Sequence, residues 1–158
     1  MALISKEVGL QKASLYHLFP AGKEQMAKAV LANVQETIAQ HLITPLREPG
    51  TPLAKVEAMV AAVRDFYGDG RFSCVFETLS LGSTENPFNK TIAATMLDWQ
   101  SAMREVAMEA GASSTEANRR AERVLVLIEG ALVVARVHGD PKAFARALED
   151  IPETLLHA

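Results

Sequence analysis

GLQKASLYHLFP, Gly9 to Pro20, is a glycine turn followed by a short segment that carries lysine, serine, tyrosine and histidine and closes on Phe-Pro. Working outward, residues 2–8 read as a short helix, Gly9-Leu10 as a turn and residues 12–18 as a second short helix, the pattern of a helix-turn-helix. On the second helix Leu15, Leu18 and Phe19 recur at i, i+3 and i+4 and are expected to face inward. Lys12, Ser14, Tyr16 and His17 are left on the outer side. That set suits a nucleic acid: lysine supplies charge, hydroxyls donate to phosphate oxygens, and tyrosine can press on a thymine methyl. Lys23 and the free N–H groups that open the next helix would add a phosphate anchor. Two readings fit these residues alone, a DNA-reading head or a solvated amphipathic helix pair.

The 158-residue chain is long enough to bury a core of one-domain size. Its 49% apolar and 22% charged residues place it among ordinary globular proteins. The N-terminus has no secretory leader pattern, with Lys6 and Glu7 where an apolar run would stand. The longest strongly apolar run, Val124 to Val137, is too short and too charged for a bilayer span, and a cytoplasmic location is expected. One cysteine, Cys74, excludes a disulfide framework within the chain and any multi-cysteine metal site. The net charge of −3 is unevenly spread. Residues 1–50 hold five basic and four acidic side chains, and the remainder holds 11 and 15.

Apolar residues recur at helical spacing almost everywhere and no strand pattern stands out, so the fold class is all-α, about eight helices. A long helix is expected from about Lys23 to Thr44, with Met26, Val30, Val34, Ile38 and Leu42 as its inner row. The proline-rich PLREPGTP, Pro45 to Pro52, should end it. Thr51-Pro52 opens a helix to about Tyr67. A short, less regular helix follows, ending near Gly82. Further helices are expected over 87–110, over 114–137, and from Asp140-Pro141 to Ile151-Pro152. The segment VLVLIEGALVVARV is apolar nearly all the way round, and such a helix needs cover on more than one side. The cover is either the chain's own core or a second copy, and the expectation adopted is a two-fold homodimer with a four-helix interface. Leu125, Ile128, Leu132 and Arg136 on one helix and Phe144 and Leu148 on the last are its expected contacts.

Enzyme chemistry finds little support. His17, His41, His138 and His157 lack partners at metal-ligand spacing, and no GxGxxG, P-loop or GxSxG occurs. Neither a cofactor nor a metal is expected.

Residues 4–31, ISKEVGLQKASLYHLFPAGKEQMAKAVL, resemble the recognition region of the TetR family of transcriptional regulators. Gly9, Lys12, Ser14 (for Thr), Leu15, Tyr16, Phe19, Lys23 and Glu24 match its pattern, and Pro20-Ala-Gly-Lys-Glu-Gln25 is similar to one branch. The resemblance implies that Gln11, Lys12 and Ala13 approach bases, while Ser14, Tyr16, His17 and Lys23 hold phosphates. Ala13 stands where the family often has glycine, and Leu18 replaces a polar residue and is expected to pack. The family carries a further helix before the point where this sequence starts. Without it, Leu3, Ile4, Val8, Leu15 and Phe19 are expected to be partly uncovered and residues 1–20 less stable than the rest.

The resemblance also implies organisation and function. Residues 1–44 would be the helix-turn-helix region with its connecting helix, and 45–158 an effector-binding and dimerisation domain. The implied function is a ligand-responsive repressor that reads a palindromic operator in double-stranded DNA and is relieved by a small apolar or aromatic effector. The alternative is a ligand- or partner-binding helical homodimer with impaired DNA binding. Met59, Phe66, Phe76, Met96, Trp99 and Met103 are the expected pocket lining, or else plain core. Glu129 and Arg136 are its polar candidates, or else a pair with each other or across the two-fold.

Overall fold

The computed structural model describes residues 2–80 and 86–157. Among them every regular element is helical: α1 Ala2–Val8, α2 Lys12–Leu18, α3 Lys23–Thr37, a π-helical segment Ile38–Ile43, α4 Thr44–Arg47, α5 Pro52–Phe66, α6 Val75–Ser80, α7 Asn89–Glu109, α8 Ser114–His138 and α9 Lys142–Leu156. The expected end of the short helix near Gly82 lies outside the described residues. None of the described helices is long and apolar enough to cross a membrane. The chain forms two compact units, residues 1–35 and 36–158.

In the first unit, Gly9 turns the chain between α1 and α2 at φ +67°, a left-handed conformation that L side chains rarely adopt. Leu15 and, on α3, Leu31 are buried, whereas Ile4 and Phe19 are half-buried. Leu3, Val8 and Leu10 lie exposed. Leu18 does not pack as expected. It is 57% exposed, because one seven-residue helix buries a single narrow stripe and Leu15 occupies it.

The second unit starts with a departure from the expected long helix. After Thr37 the turns widen, and the Thr44 hydroxyl donates to the Ala39 carbonyl five residues back at 2.9 Å. The widening lets Ile38, Leu42, Ile43 and Leu46 all point inward, each at most 2% exposed. Pro45 therefore does not stop the chain. It sits in the first turn of α4, where no N–H is needed. Thr51 caps α5, its hydroxyl accepting from the Ala54 N–H at 3.3 Å with Pro52 next. Ser113 caps α8 in the same way through the Glu116 N–H, and the helix begins at Ser114 as expected.

Pro152 was expected to end the last helix, yet α9 continues to Leu156. A proline inside a helix costs about 3 kcal/mol. Continuing buries Leu155 and Leu156 at 0% and 6% exposure, each worth about 1.5–3 kcal/mol. Burial outweighs the lost bond, and Arg120 adds a hydrogen bond to the Leu156 carbonyl at 2.8 Å.

The core lies where α5, α7, α8 and α9 meet, built on Val56, Met59, Val63, Trp99, Met103, Val106, Ile128, Phe144, Leu148 and Ile151. Tyr67, at the end of α5, stands edge-on to Phe144 with ring centroids 5.9 Å apart. Gly70 then carries the chain past α9 at φ +83°. A Cβ there would meet the Phe144 Cβ at 2.7 Å, so the corner admits no side chain without movement.

Candidate DNA-binding and effector sites

In the first unit α2 shows a buried side and an open one. Leu15 anchors it, while Gln11, Lys12, Ala13, Ser14, Tyr16 and His17 are all exposed on its start and outer surface. Lys23 opens α3 and is exposed as well. Within that first turn Gln25 accepts the Ala21 N–H at 3.0 Å, and Glu24 pairs with Lys28 at 2.7 Å. The hydrogen bond from Lys28, with its charge, holds the Glu24 carboxyl below the usual range. The local acid is thus matched, and Lys12 and Lys23 stand in the open beside three hydrogen-bonding side chains.

In the second unit a cavity of about 550 Å³ opens between α6, α7 and α8. Among the described residues its lining is Phe76, Glu77 and Ser80 from α6, Asn89, Ile92, Ala93 and Met96 from α7, and Glu129 from α8. Phe76, Met96 and Glu129 of the expected pocket set fall here. Met59, Trp99 and Met103 do not: each is at most 2% exposed, packed in the core behind it. The Trp99 Nε1–H donates to the Met59 sulfur at 3.3 Å, which satisfies the indole inside that core. Phe66 is half-buried and packs edge-on against Tyr67, with ring centroids 4.8 Å apart. Residue type alone cannot separate a pocket wall from plain core, and Met59, Trp99 and Met103 are core.

Glu129 and Arg136 do not pair with each other. Arg136 reaches across to α6 and grips Glu77 with both terminal nitrogens, at 2.7 and 2.9 Å, and its Nη1 also donates to Ser73 at 3.3 Å. This fork holds the Glu77 carboxyl below its ordinary range and pushes the guanidinium up. Glu129 turns the other way. Burial raises its pKa, a hydrogen bond with Cys74 partly offsets that, and the neighbouring Glu77 charge adds to the rise. The Tyr67 hydroxyl donates to the Cys74 sulfur at 3.7 Å. Burial, with the Glu129 charge behind it, pushes the Cys74 thiol up to about 11, and burial drives the Tyr67 hydroxyl up as well.

The expected interface residues need correction. Leu125, Ile128, Leu132, Phe144 and Leu148 are each at most 8% exposed within one chain. They face its own core and have no surface to offer a second copy. Arg136 is exposed but held by Glu77. The open side of α8 is the opposite one, where Val126, Val133, Val134 and Val137 are 67%, 37%, 41% and 73% exposed. A shallow groove beside it runs along α9, past Leu127, Gly130, Ala143 and Arg146. The polar half of α8 carried the missed signal. Its apolar residues are Ala117 and Ala121, and extending that row by threes and fours reaches Val124, Ile128, Ala131 and Ala135, the buried side. Glu77, Ser80, Asn89, Ile92 and Ala93 were missed in the cavity; the recurrence of Asn89, Ile92, Ala93 and Met96 along one side of α7 is the pattern that reveals the three on that helix.

No group of three or more potential metal-ligating side chains gathers among the described residues. An all-helical chain with a short helix-turn-helix unit, a second helical unit and a cavity in the latter is the architecture of a one-component regulator. Residues 52–150 match the C-terminal domain of LmrA/YxaF-like transcriptional regulators. The chain belongs to this family of TetR-type proteins and is a DNA-binding transcriptional regulator. It is 26% identical over 155 residues to an HTH-type transcriptional regulator of Bacillus subtilis strain 168, YxaF, covering 94% of this chain and 80% of that one. With the HTH-type transcriptional regulator LmrA of the same organism it shares 25% identity over 161 residues, covering 96% and 83%. The crystal structure of a TetR transcriptional regulator from Legionella pneumophila superposes with a TM-score of 0.76 at 19% identity, over 96% of this chain and 83% of that one. That last likeness bears on the fold.

Proposed function

We propose that the protein is a homodimeric, ligand-responsive repressor. Residues 1–44 carry operator recognition, 45–158 carry effector binding and dimerisation, and the protein acts as a binder rather than an enzyme, in the cytoplasm with its DNA. The observation that carries the reading is the two-sidedness of α2: Leu15 is buried while Gln11, Lys12, Ala13, Ser14, Tyr16 and His17 stand open. Gln11, Lys12 and Ala13 approach base edges, the Lys12 charge also neutralising phosphate, while Ser14, Tyr16, His17 and Lys23 hold phosphates and so fix the register. In a dimer two such helices would enter successive major grooves of a palindromic operator, about 34 Å apart.

The effector enters the cavity lined by Phe76, Met96 and Glu129, whose volume suits a small molecule. It regulates only if it binds the DNA-competent and DNA-incompetent forms with different affinity. A second copy covers the open valines of α8 and the groove along α9, giving the four-helix arrangement with its faces reassigned. Fluorescence anisotropy on operator DNA at stated salt tests the reading. Binding should weaken steeply as salt rises, and Lys12→Ala should lower the log–log salt slope by about one. Salt-independent binding, or an unchanged slope in Lys12→Ala, would refute the assignment of α2.

A further inference from the structure

The cavity has an unbalanced electrostatic character. Its walls are apolar through Phe76, Ile92 and Met96, and two carboxyls, Glu77 and Glu129, lie on it without a basic side chain among the described lining. Glu77 is already matched, gripped by Arg136 at 2.7 and 2.9 Å. Glu129 is not. The groups that shift its titration are the Cys74 thiol and the Glu77 carboxylate, and neither is a cation. A carboxyl in that position holds its proton more tightly than a solvated one, because ionising it would leave a half-buried charge without a cationic partner. A positive ligand removes that obstacle, since it supplies the counter-charge as the proton leaves to solvent. The aromatic side chain of Phe76 in the wall can add attraction for the same sign of charge.

We propose that the effector cavity selects a hydrophobic monocation, an onium or protonated amine head on an apolar body, with Glu129 as its counter-ion and Phe76 packed against it. The proposal rests on the reading of this cavity as the effector site, and the experiment separates the two. Tetraphenylphosphonium and tetraphenylborate have the same shape and opposite charge, and neutral Nile red reports on the cavity regardless of charge. Equilibrium dialysis of each with the full-length protein should show the phosphonium bound and the borate at least about tenfold weaker. Glu129→Gln, which keeps the side chain's shape, should weaken the phosphonium by about tenfold or more, the loss of one charged partner. Ala93→Phe, which fills the cavity from α7, should evict both phosphonium and Nile red.

The wild-type protein supplies a further arm that needs no variant. Phosphonium binding should tighten as pH rises from the ordinary glutamate range, by up to about tenfold per pH unit, until Glu129 is already ionised in the empty site. Of the titratable groups around Glu129, the Cys74 thiol and Tyr67 hydroxyl stay protonated over that range, and Glu77 stays ionised against Arg136. Borate binding as tight as phosphonium, indifference to Glu129→Gln, or binding that does not tighten with pH would overturn the cation assignment. If Nile red is evicted by Ala93→Phe while phosphonium never binds, the cavity stands as the site and the cation falls. If neither probe responds to Ala93→Phe, both readings fall.

Discussion

Val126→Lys, set beside Ile128→Ala, separates the two sides of α8. Val126 is 67% exposed in the single chain, and Ile128, two residues on, is fully buried. Removing Ile128 to alanine deletes core volume and should cost about 2–5 kcal/mol of folding stability. Val126→Lys touches nothing in the chain's own core and should leave the isolated fold within about 0.5 kcal/mol. In the proposed dimer its effect is on association. A fully buried valine is worth at least about 1.5 kcal/mol, so the exposed two-thirds of Val126 contributes about 1 kcal/mol. The two-fold doubles this to about 2 kcal/mol, and two lysines facing one another add about 1–2 kcal/mol of desolvation and repulsion. A total near 3–4 kcal/mol is a loosening of about 150- to 1,000-fold. Sedimentation velocity across a dilution series measures it, with chemical denaturation of each variant at the lowest concentration as the stability control. A Val126→Lys protein that stays dimeric at the wild-type concentration range refutes the reassigned face. So does an Ile128→Ala protein that dissociates with its fold undiminished.

Three other outcomes follow from the structure. Gly70→Ala should destabilise by about 2–5 kcal/mol, combining a left-handed φ with the overpacking of Phe144, and urea titration measures it. Glu129 binds its proton more tightly folded than unfolded, so its contribution to stability should fall as pH rises above the ordinary glutamate value. In Glu129→Gln that decline should vanish and stability above neutrality should increase, which pH-resolved denaturation checks. Amide exchange by mass spectrometry should run faster in residues 2–19 than in α8, since Leu15 is the one fully buried side chain in α1 and α2. Equal protection would refute it.

Much of the fold was legible because helical spacing and caps are local physics. Thr51-Pro52, Ser113 and Gly139 mark their helix ends in the residues themselves. The π-helical segment was not legible, since Pro45 reads as a stop until Leu42 and Ile43 are seen to share one core. The same holds for Pro152, where the burial of Leu155 and Leu156 outweighs a local penalty. On the site, α2 could be read because it mixes one buried row with polar neighbours. The second half of α8 could not, because apolar residues all round a helix carry no phase. Glu129 stood out for the converse reason, as a charge inside an apolar run, while Trp99, Met59 and Met103 share their chemistry with both wall and core.

The Arg136–Glu77 fork has a kinetic meaning. It ties α6, one wall of the cavity, to the last turns of α8 through an ion pair that is roughly half open to solvent. Such a pair responds to dissolved ions, whose screening length shrinks from about 30 Å at 0.01 M to about 3 Å at 1 M. Salt should therefore speed the entry and the exit of a guest together, changing how long it stays more than how tightly it is held. Loosening the fork would shorten the residence time of a signal while leaving its threshold concentration nearly in place.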